Sequence, residues 1–347
     1  MSAYGECRAS IGREGAAVAG AAVAGTTHAV AGDVRHAMLL YRSPREHALA
    51  CSEHVLGGET GGAAGGAAAM AAGTPAHLAL LRSVLGEAAG QVEMAELASL
   101  AADPGRVLAM LRMFAREHAG KPLRLVQDMG WPERPDEDLA EAIGYEALIC
   151  RALDGTGAHV LCSYDASMHP AVLVAAERAH EVVLDGGWRP SAGYGTEQEH
   201  GRGPDATAPD GGLAALLSPP PAGASSLTFR GDQVAVRRFA ADHGHMAGLP
   251  PGRVTDLVIA VGELAGNTLR HTDGAGTITI WTTPAELVCQ VSDHGHIADP
   301  LTGTIRPDPA ATGSQRGLWL VHQVGDLVQV RSGPAGTTVR VHLRRSG

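Results

Sequence analysis

The stretch GELAGNTLRH, residues 262–271, decides how the second half of this chain is interpreted. It completes a longer run, PGRVTDLVIAVGELAGNTLRH, in which apolar residues recur every three to four positions, as on one face of a helix. At about 100° per residue the apolar side is centred near Val261, and Glu263 and Asn267 lie about 40° apart on the opposite side. A carboxylate and a carboxamide at this spacing indicate either an ordinary solvated face or a binding site.

The segments around this helix predict a complete α+β domain. A strand, SLTFRG, and a helix, DQVAVRRFAADHG, precede it. Strands GTITIWTT and ELVCQVSD, helix QRGLWLVHQVG and a closing hairpin of DLVQVRS and GTTVRVHLR follow it. This order predicts helices packed on one face of a mixed sheet, which is a two-layer α+β sandwich.

Three short motifs after the helix place ligand-binding chemistry near it. In VSDHG, Asp293 ends an apolar strand, where its carboxylate can accept from an exocyclic amine such as that of adenine, and Gly295 allows a sharp turn. In GSQRGLWLV, two glycines flank a helix start whose exposed N–H groups and dipole suit phosphates. In GTTVRV, a Gly-Thr pair enters the last strand.

Taken in order, ELAGN, DHG, GSQRGLWLV and GTT resemble the N, G1, G2 and G3 boxes of the GHKL ATPase/kinase superfamily. Within that superfamily they are most similar to the anti-sigma-factor serine kinases of bacteria. The likeness covers residues 225–345 and implies the Bergerat ATP-binding fold with ATP and Mg²⁺ as cofactors. Two positions depart from the family pattern: Ile297 stands where the G1 box continues to a second glycine, and GSQRG replaces a denser glycine run.

The resemblance implies a role for each matching residue. Asn267 would give a carboxamide oxygen to Mg²⁺, a cation that prefers oxygen ligands, and Glu263 would be the catalytic general base on the attacking hydroxyl. Asp293 would accept from the adenine amino group. The remaining ATP-binding residues would be Gly295, which gives the base room, Arg316, Gly317 and Leu318 around the phosphates, and Thr337 at the adenine side. The loop ADPLTGTIRPDPAATGSQ would be a mobile ATP lid, since it carries few apolar anchors.

The first half of the chain alternates strand and helix patterns. The predicted strands are HAMLLY, a short one near residues 67–72, KPLRLVQDMG and AHVLCSYDA, and the predicted helices are PREHALACSEHVL, EDLAEAIGYEALICRAL and HPAVLVAAERAHEVVL. This alternation predicts an α/β domain with a mostly parallel sheet.

Several segments of this half resemble the MEDS-type sensory domain. They are HAMLLYRSPREHALACSEHVL, LALLRSVLG, the Trp-Pro of MGWPERP, the Glu of GYEALI and LCSYDASMHP. The resemblance implies a sensor whose ligand it does not name, and the candidate lining residues are His36, Tyr41, Glu146 and Tyr164. The same four residues also suit structural roles in the core or at the surface.

The resulting domain organisation has four parts. Residues 1–32 read as a low-complexity tail, 33–188 as the MEDS-like domain, 189–224 as a linker rich in Gly and Pro, and 225–347 as the ATP-binding domain.

The composition excludes several classes of function. The net charge of −10 leaves no basic face for nucleic acid, and the one lysine, Lys121, is not in a Walker A loop. Five scattered cysteines without a CxxC pair indicate reduced thiols in the cytoplasm, so we expect neither disulfides nor a structural zinc. No run is apolar enough for a membrane span.

Three functions fit this organisation. The first is a cytoplasmic signalling regulator that binds Mg-ATP and phosphorylates a Ser or Thr of a STAS-type anti-anti-sigma partner, binds a sigma factor, or does both. The second is a non-enzymatic, ATP-responsive interaction module. The third is an atypical sensor histidine kinase with His180 as acceptor, although His180 fits better as a residue at a helix surface or between domains. Family likeness also allows a homodimer.

Overall fold

The computed structural model describes residues 34–57, 66–97, 103–130, 136–194, 217–307 and 315–345. The chain separates into two compact units, one made of residues 1–100 and 110–200 and the other of residues 101–109 and 201–347. The predicted tail at residues 1–32 and most of the predicted linker lie outside the described residues.

The first unit is built on a seven-stranded sheet with the order β3-β2-β4-β5-β1-β6-β7. Every neighbouring pair is parallel except β6 and β7. The mostly parallel α/β domain predicted from the sequence is therefore confirmed. The strands are β1 (Arg35–Tyr41), β2 (Ala68–Gly73), β3 (Val92–Glu96), β4 (Leu123–Gly130), β5 (His159–Asp165), β6 (Val182–Leu184) and β7 (Trp188–Pro190).

Helices connect the parallel strands, as a parallel sheet requires. They are α1 (Pro44–Leu56), α2 (Pro75–Leu85), α3 (Pro104–Glu117), α4 (Asp136–Glu146), α5 (Ile149–Ala152) and α6 (Pro170–Arg178), with a 3₁₀ segment at Gly86–Gln91. The side chains of Ser43 and Thr74 cap α1 and α2, and each of these helices starts with proline. Both starts thus lie directly after β1 and β2, at the carboxyl edge of the sheet.

Strand β2 shows why a weak sequence signal still gives a strand. Its sequence AAMAAG is buried at every position, and it lies between β3 and β4. A strand covered on both faces does not need alternating side chains, and pairing on both edges outweighs the poor strand propensity of alanine. The short strand predicted near residues 67–72 is confirmed.

The predicted helix HPAVLVAAERAHEVVL was wrong in its second half. Helix α6 ends at Arg178, and Val182–Leu184 form β6, which pairs in parallel with β1. Pairing with a buried strand outweighs the local helical pattern for these branched residues. His180 therefore lies in the connection after α6, where it is fully buried, and not on a helix surface.

The second unit is a five-stranded sheet with the order β11-β12-β10-β9-β8 and three helices. Its strands are β8 (Ser225–Arg230), β9 (Ala275–Thr282), β10 (Glu286–Asp293), β11 (Leu327–Gly333) and β12 (Gly336–Arg344), and its helices are α7 (Gln233–Met246), α8 (Pro251–His271) and α9 (Gln315–Val324). Side chains from all three helices and the sheet form one core. The two-layer α+β fold is confirmed.

The expected mixture of parallel and antiparallel pairs in this sheet was wrong. All four neighbouring pairs are antiparallel. Between β8 and β9 the chain passes through two helices, α7 and α8, which pack on each other, and not through the single crossover helix that usually joins parallel strands.

Among the helices of the described residues, none combines the length and apolar character that crossing a bilayer needs. Cys51, Cys150, Cys162 and Cys289 carry free thiols.

Candidate functional site

Helix α8 presents its two polar residues at the start of α9. Val261 and Ala265 are fully buried against the sheet, whereas Glu263 and Asn267 are half-buried on the other side of the helix. A Cβ atom placed on Gly317 would lie 2.9 Å from Glu263 Oε2 and 3.2 Å from Asn267 Oδ1. The carboxylate and the carboxamide thus converge on one backbone position, and only glycine fits there without displacing them.

The Asn267 carboxamide is held in a defined orientation. Arg270 donates a hydrogen bond of 2.8 Å from its guanidinium to Asn267 Oδ1. This contact points the oxygen, rather than the NH₂ group, toward positive charge. A cation that binds this oxygen would therefore share it with Arg270 or replace the guanidinium.

Asp293 is fixed through both of its carboxylate oxygens. Thr268, the residue after Asn267, is buried and donates to Asp293 Oδ2 at 2.6 Å, and the Gly295 N–H donates to Oδ1 at 2.8 Å. Each oxygen keeps acceptor capacity for an external donor, because a carboxylate oxygen accepts two hydrogen bonds. The pair Thr268–Asp293 connects α8 to the end of β10.

Two glycines keep the surroundings of Asp293 free of side chains. A Cβ atom on Gly295 would lie 2.8 Å from the Thr272 methyl group and 3.0 Å from Asp293 Oδ1. Gly336 has φ +128°, and a Cβ atom there would lie 2.2 Å from the Asp293 carbonyl oxygen. Gly336 was not among the predicted site residues, although the quoted GTT motif contains it.

Thr337 holds the turn after Asp293 from the neighbouring strand. It is directly opposite Asp293 in the β10–β12 register, and its hydroxyl donates to the Gly295 carbonyl at 2.9 Å. Ser332 lies 2.7 Å from the same hydroxyl and accepts from the Ile297 N–H at 2.7 Å. The turn that carries Gly295 is therefore anchored at two points.

The residues expected around phosphates lie in the first turn of α9. Arg316 is exposed, Gly317 faces Glu263 and Asn267, and the Leu318 side chain is in the core. Leu318 can therefore offer a ligand only its backbone. The first N–H groups of a helix have no partner within the helix, which leaves them available to an anion.

The predicted lid is described up to residue 307. In this part Leu301 is buried, Thr304 donates from its hydroxyl to the Leu301 carbonyl at 2.7 Å, and Gly303 packs closely on Leu318. Leu301 and Gly303 thus anchor the described part of the loop, and its role as a mobile lid stays a prediction. Residues 308–314, including Gly313, lie outside the described residues.

Three of the four sensory candidates of the first unit come together. His36 of β1, Glu146 at the end of α4 and Tyr164 of β5 are buried, and the Tyr164 hydroxyl donates to Glu146 Oε2. Cys162 and His180, which were not among the predicted lining residues, complete this group: His36 Nε2 lies 3.2 Å from Cys162 Sγ, and the His36 and His180 rings are 4.1 Å apart. Burial and the nearby His180 lower the pKa of His36.

The fourth candidate, Tyr41, belongs to a different cluster at the carboxyl edge of the sheet. Its ring packs on His47 and His77, with centroids 4.9 and 5.6 Å away. Both histidines contact Asp128, with His47 Nε2 at 2.7 Å from Oδ1 and His77 Nδ1 at 2.8 Å from Oδ2. Ser163 and the Thr74 N–H also donate to this carboxylate.

The electrostatics of this edge cluster are set by Asp128. Burial opposes its ionisation, but the hydrogen bonds and charges of His47 and His77 outweigh burial and hold the pKa of Asp128 well below its usual value. The hydrogen bond to Asp128 in turn raises the pKa of His77. Sequence reasoning missed this group, although Asp128 ends a parallel strand, at the edge where ligands of such sheets bind.

Comparison with known proteins finds two families, one in each half of the chain. Residues 228–343 match the family model of the histidine kinase-like ATPase domain, and residues 35–181 match that of the MEthanogen/methylotroph, DcmR Sensory domain, MEDS. No curated protein matches the chain.

A similar solved structure is the crystal structure of the RsbU and RsbW domains of Rv1364c from Mycobacterium tuberculosis. It is 18% identical, with a TM-score of 0.26, and the match covers 35% of this chain. The chain spans only about a third, 32%, of the length of that protein.

Proposed function

We propose that this chain, which joins a MEDS sensory domain to a histidine kinase-like ATPase domain, is a signalling regulator that binds Mg-ATP and controls a sigma factor. It would do so by phosphorylating a Ser or Thr of a STAS-type anti-anti-sigma protein, by binding the sigma factor, or both. The observation that carries the proposal is the convergence of Glu263 and Asn267 on Gly317.

The residues of the site fit a magnesium-bound nucleotide. A carboxamide oxygen, Asn267 Oδ1, lies beside the start of α9, where free N–H groups suit phosphates. Thr268, the next residue of α8, and Gly295 hold Asp293 in place for an adenine amino group. Asn267 would hold Mg²⁺ through its carboxamide oxygen, and the charge of the ion would offset that of the phosphates.

Glu263 has the position of a general base in this scheme. Its Oε2 lies beside Gly317, so it faces the phosphate end of the site and not the adenine end. A Ser or Thr hydroxyl brought there by a partner would donate its proton to Glu263 as its oxygen bonds to the terminal phosphorus, while the bond from that phosphorus to the leaving ADP breaks. Asp293, Gly295 and Thr337 would position the nucleotide without taking part in proton transfer.

The second candidate function is an ATP-responsive binding module without phosphoryl transfer. Ile297 favours it, because this side chain packs on the core and its N–H is bonded to Ser332 where the family pattern has a glycine. The histidine-kinase alternative is weakened because its acceptor, His180, is fully buried. An acceptor imidazole must reach the terminal phosphate.

Calorimetry with the full chain tests the nucleotide site. We expect Mg-ATP to bind the unaltered chain, Asp293→Asn to remove binding, and Asn267→Ala to remove its dependence on Mg²⁺. Asp273→Asn is the matched control, since Asp273 is exposed in the same unit and should leave binding unchanged. Absence of Mg-ATP binding by the folded, unaltered chain would overturn the proposal.

Labelled ATP separates the kinase from the binding module. We expect acid-stable transfer of the γ-phosphate to a STAS-type protein from the same genome, and loss of this transfer in Glu263→Gln with ATP binding retained. ATP binding without any transfer would favour the binding module. Acid-labile label on the chain itself, lost in His180→Ala, would favour the histidine kinase.

A further inference from the structure

A second cluster of reactive side chains lies inside the first unit and plays no part in the proposed ATP chemistry. Four elements contribute to it: β1 gives His36, the end of α4 gives Glu146, β5 gives Cys162, and the connection after α6 gives His180. All four residues are buried, and one ligand atom from each lies within 4.8 Å of the others. Residues from positions 36 to 180 are thus brought together by the fold, not by sequence proximity.

Two atoms of this cluster are buried without a hydrogen bond. Glu146 Oε1 and His180 Nε2 face each other at 3.4 Å, and neither has a hydrogen-bond partner among the described residues. Leaving buried polar atoms unsatisfied is costly, and the cost is larger for a carboxylate than for a neutral group. The cluster therefore lacks one positively charged or donating group at its centre.

The backbone orients both imidazole rings toward that centre. The Ala176 carbonyl lies 2.7 Å from His180 Nδ1, so it accepts the proton of Nδ1 and leaves the Nε2 lone pair directed at the cluster. The His36 ring is bonded to the backbone of Ala179 and directs its own Nε2 at Cys162. Histidines that bind metals are oriented in this way by a carbonyl or carboxylate on the other ring nitrogen.

The carboxylate is oriented in the same manner. Tyr164 donates its hydroxyl to Glu146 Oε2 and leaves Oε1 toward the two histidines. The cluster thus has two imidazole nitrogens, one carboxylate oxygen and one sulfur, each supported by its surroundings.

We propose that His36, Glu146, Cys162 and His180 bind a zinc ion. Imidazole, thiolate and carboxylate are the ligand types of zinc, and four protein ligands complete its tetrahedral shell. Tetrahedral zinc holds neighbouring ligand atoms about 3.3–3.8 Å apart, and the separations of 3.2 and 3.4 Å measured across the cluster are close to this range. Binding releases the Cys162 proton to solvent and leaves a thiolate on the metal.

The edge cluster of His47, His77 and Asp128 is the less suitable of the two for a metal. Both oxygens of Asp128 already accept hydrogen bonds, from His47 and Ser163 on one side and from His77 and the Thr74 N–H on the other. Its carboxylate is satisfied by protein donors, whereas that of the zinc cluster is not. The proposal departs from the sequence-based expectation of no structural zinc, which considered only local cysteine spacing.

The test measures zinc itself and needs no nucleotide. The full-length chain is stripped with a chelator, dialysed against zinc and analysed for metal by mass spectrometry, and its affinity is measured against a chromophoric chelator. We expect one zinc per chain. Cys162→Ser and His180→Ala should each weaken binding by more than the ~10–100-fold that loss of an outer partner costs.

Matched variants make each outcome decisive. Cys51→Ser removes another buried thiol of the same unit and should leave zinc binding unchanged. The chain loaded with Co²⁺ should show a thiolate-to-metal absorption band that Cys162→Ser removes and Cys51→Ser keeps. A folded chain that holds no stoichiometric zinc overturns the proposal. So does zinc that persists in Cys162→Ser but is lost in His77→Ala, since the ion would then lie in the edge cluster.

Discussion

At the scale of single residues, Gly336 is the glycine near the proposed ATP site that least tolerates a side chain. Its φ of +128° and the 2.2 Å that would separate an added Cβ atom from the Asp293 carbonyl oxygen leave no room for a side chain. We expect Gly336→Ala to destabilise the second unit by more than ~1 kcal/mol, as measured by urea unfolding. Gly252→Ala, at an open position of α8, should cause no loss of stability. An equal loss of stability in the two variants would contradict this explanation.

His77 and Asp128 give the first unit a dependence on pH that can be measured. The pKa of His77 is raised from 6.5 in the folded state, so its contact with Asp128 stabilises the fold fully below that value and is lost as pH rises through the raised value. We expect the stability difference between the unaltered chain and His77→Gln to shrink as pH increases above 6.5. A difference that grows over this range would contradict the ion-pair assignment.

At acidic pH the stabilisation by the same cluster depends on pH in the opposite direction, because it is lost as pH decreases. Because the pKa of Asp128 is lowered in the folded chain, its contribution is complete above the usual carboxyl value and is lost as pH falls below it. As pH falls below the usual carboxyl value, we expect the free energy of unfolding to decrease less in Asp128→Asn than in the unaltered chain. Thermal unfolding at a series of pH values measures both effects.

At the scale of elements, helix α8 contributes several fully buried side chains to the core of the second unit. Leu257 is fully buried in it, and truncation of a buried leucine costs ~2–5 kcal/mol because it loses contacts and leaves a cavity. We expect Leu257→Ala to destabilise the second unit by about this amount in urea unfolding. Leu269→Ala, on the same helix but only half-buried, should cost less than half as much.

The same helix shows how far sequence patterns reach. The run of residues 251–271 matches α8 from end to end, and ELVCQVSD matches β10, because their periodicity and burial agree with the pairing that the fold imposes. Strand β6 was missed because its three residues are strand through pairing with β1 and β7, which the local sequence does not show. Likewise the shared helix face of Glu263 and Asn267 could be predicted from their spacing of four residues, whereas Cys162 and His180 meet only through the order of the sheet.

At the scale of the whole molecule, each unit has its own apolar core. We expect two unfolding transitions by calorimetry, with Mg-ATP raising only the transition of the second unit and zinc only that of the first. A ligand at 100 times its Kd stabilises the form that binds it by ~2.7 kcal/mol, which is a resolvable shift. One transition that both ligands raise together would mean that the two units unfold cooperatively.

Consecutive residues of α8, Asn267 and Thr268, lie about 100° apart around the helix and reach the two ends of the proposed nucleotide site. Any movement of α8 about its axis must therefore displace the cation ligand and the hydroxyl that holds Asp293 at the same time. The affinities for the metal and for the purine are then thermodynamically coupled, and such coupling is equal in both directions. A signal that shifts this helix would alter both affinities through one rotation.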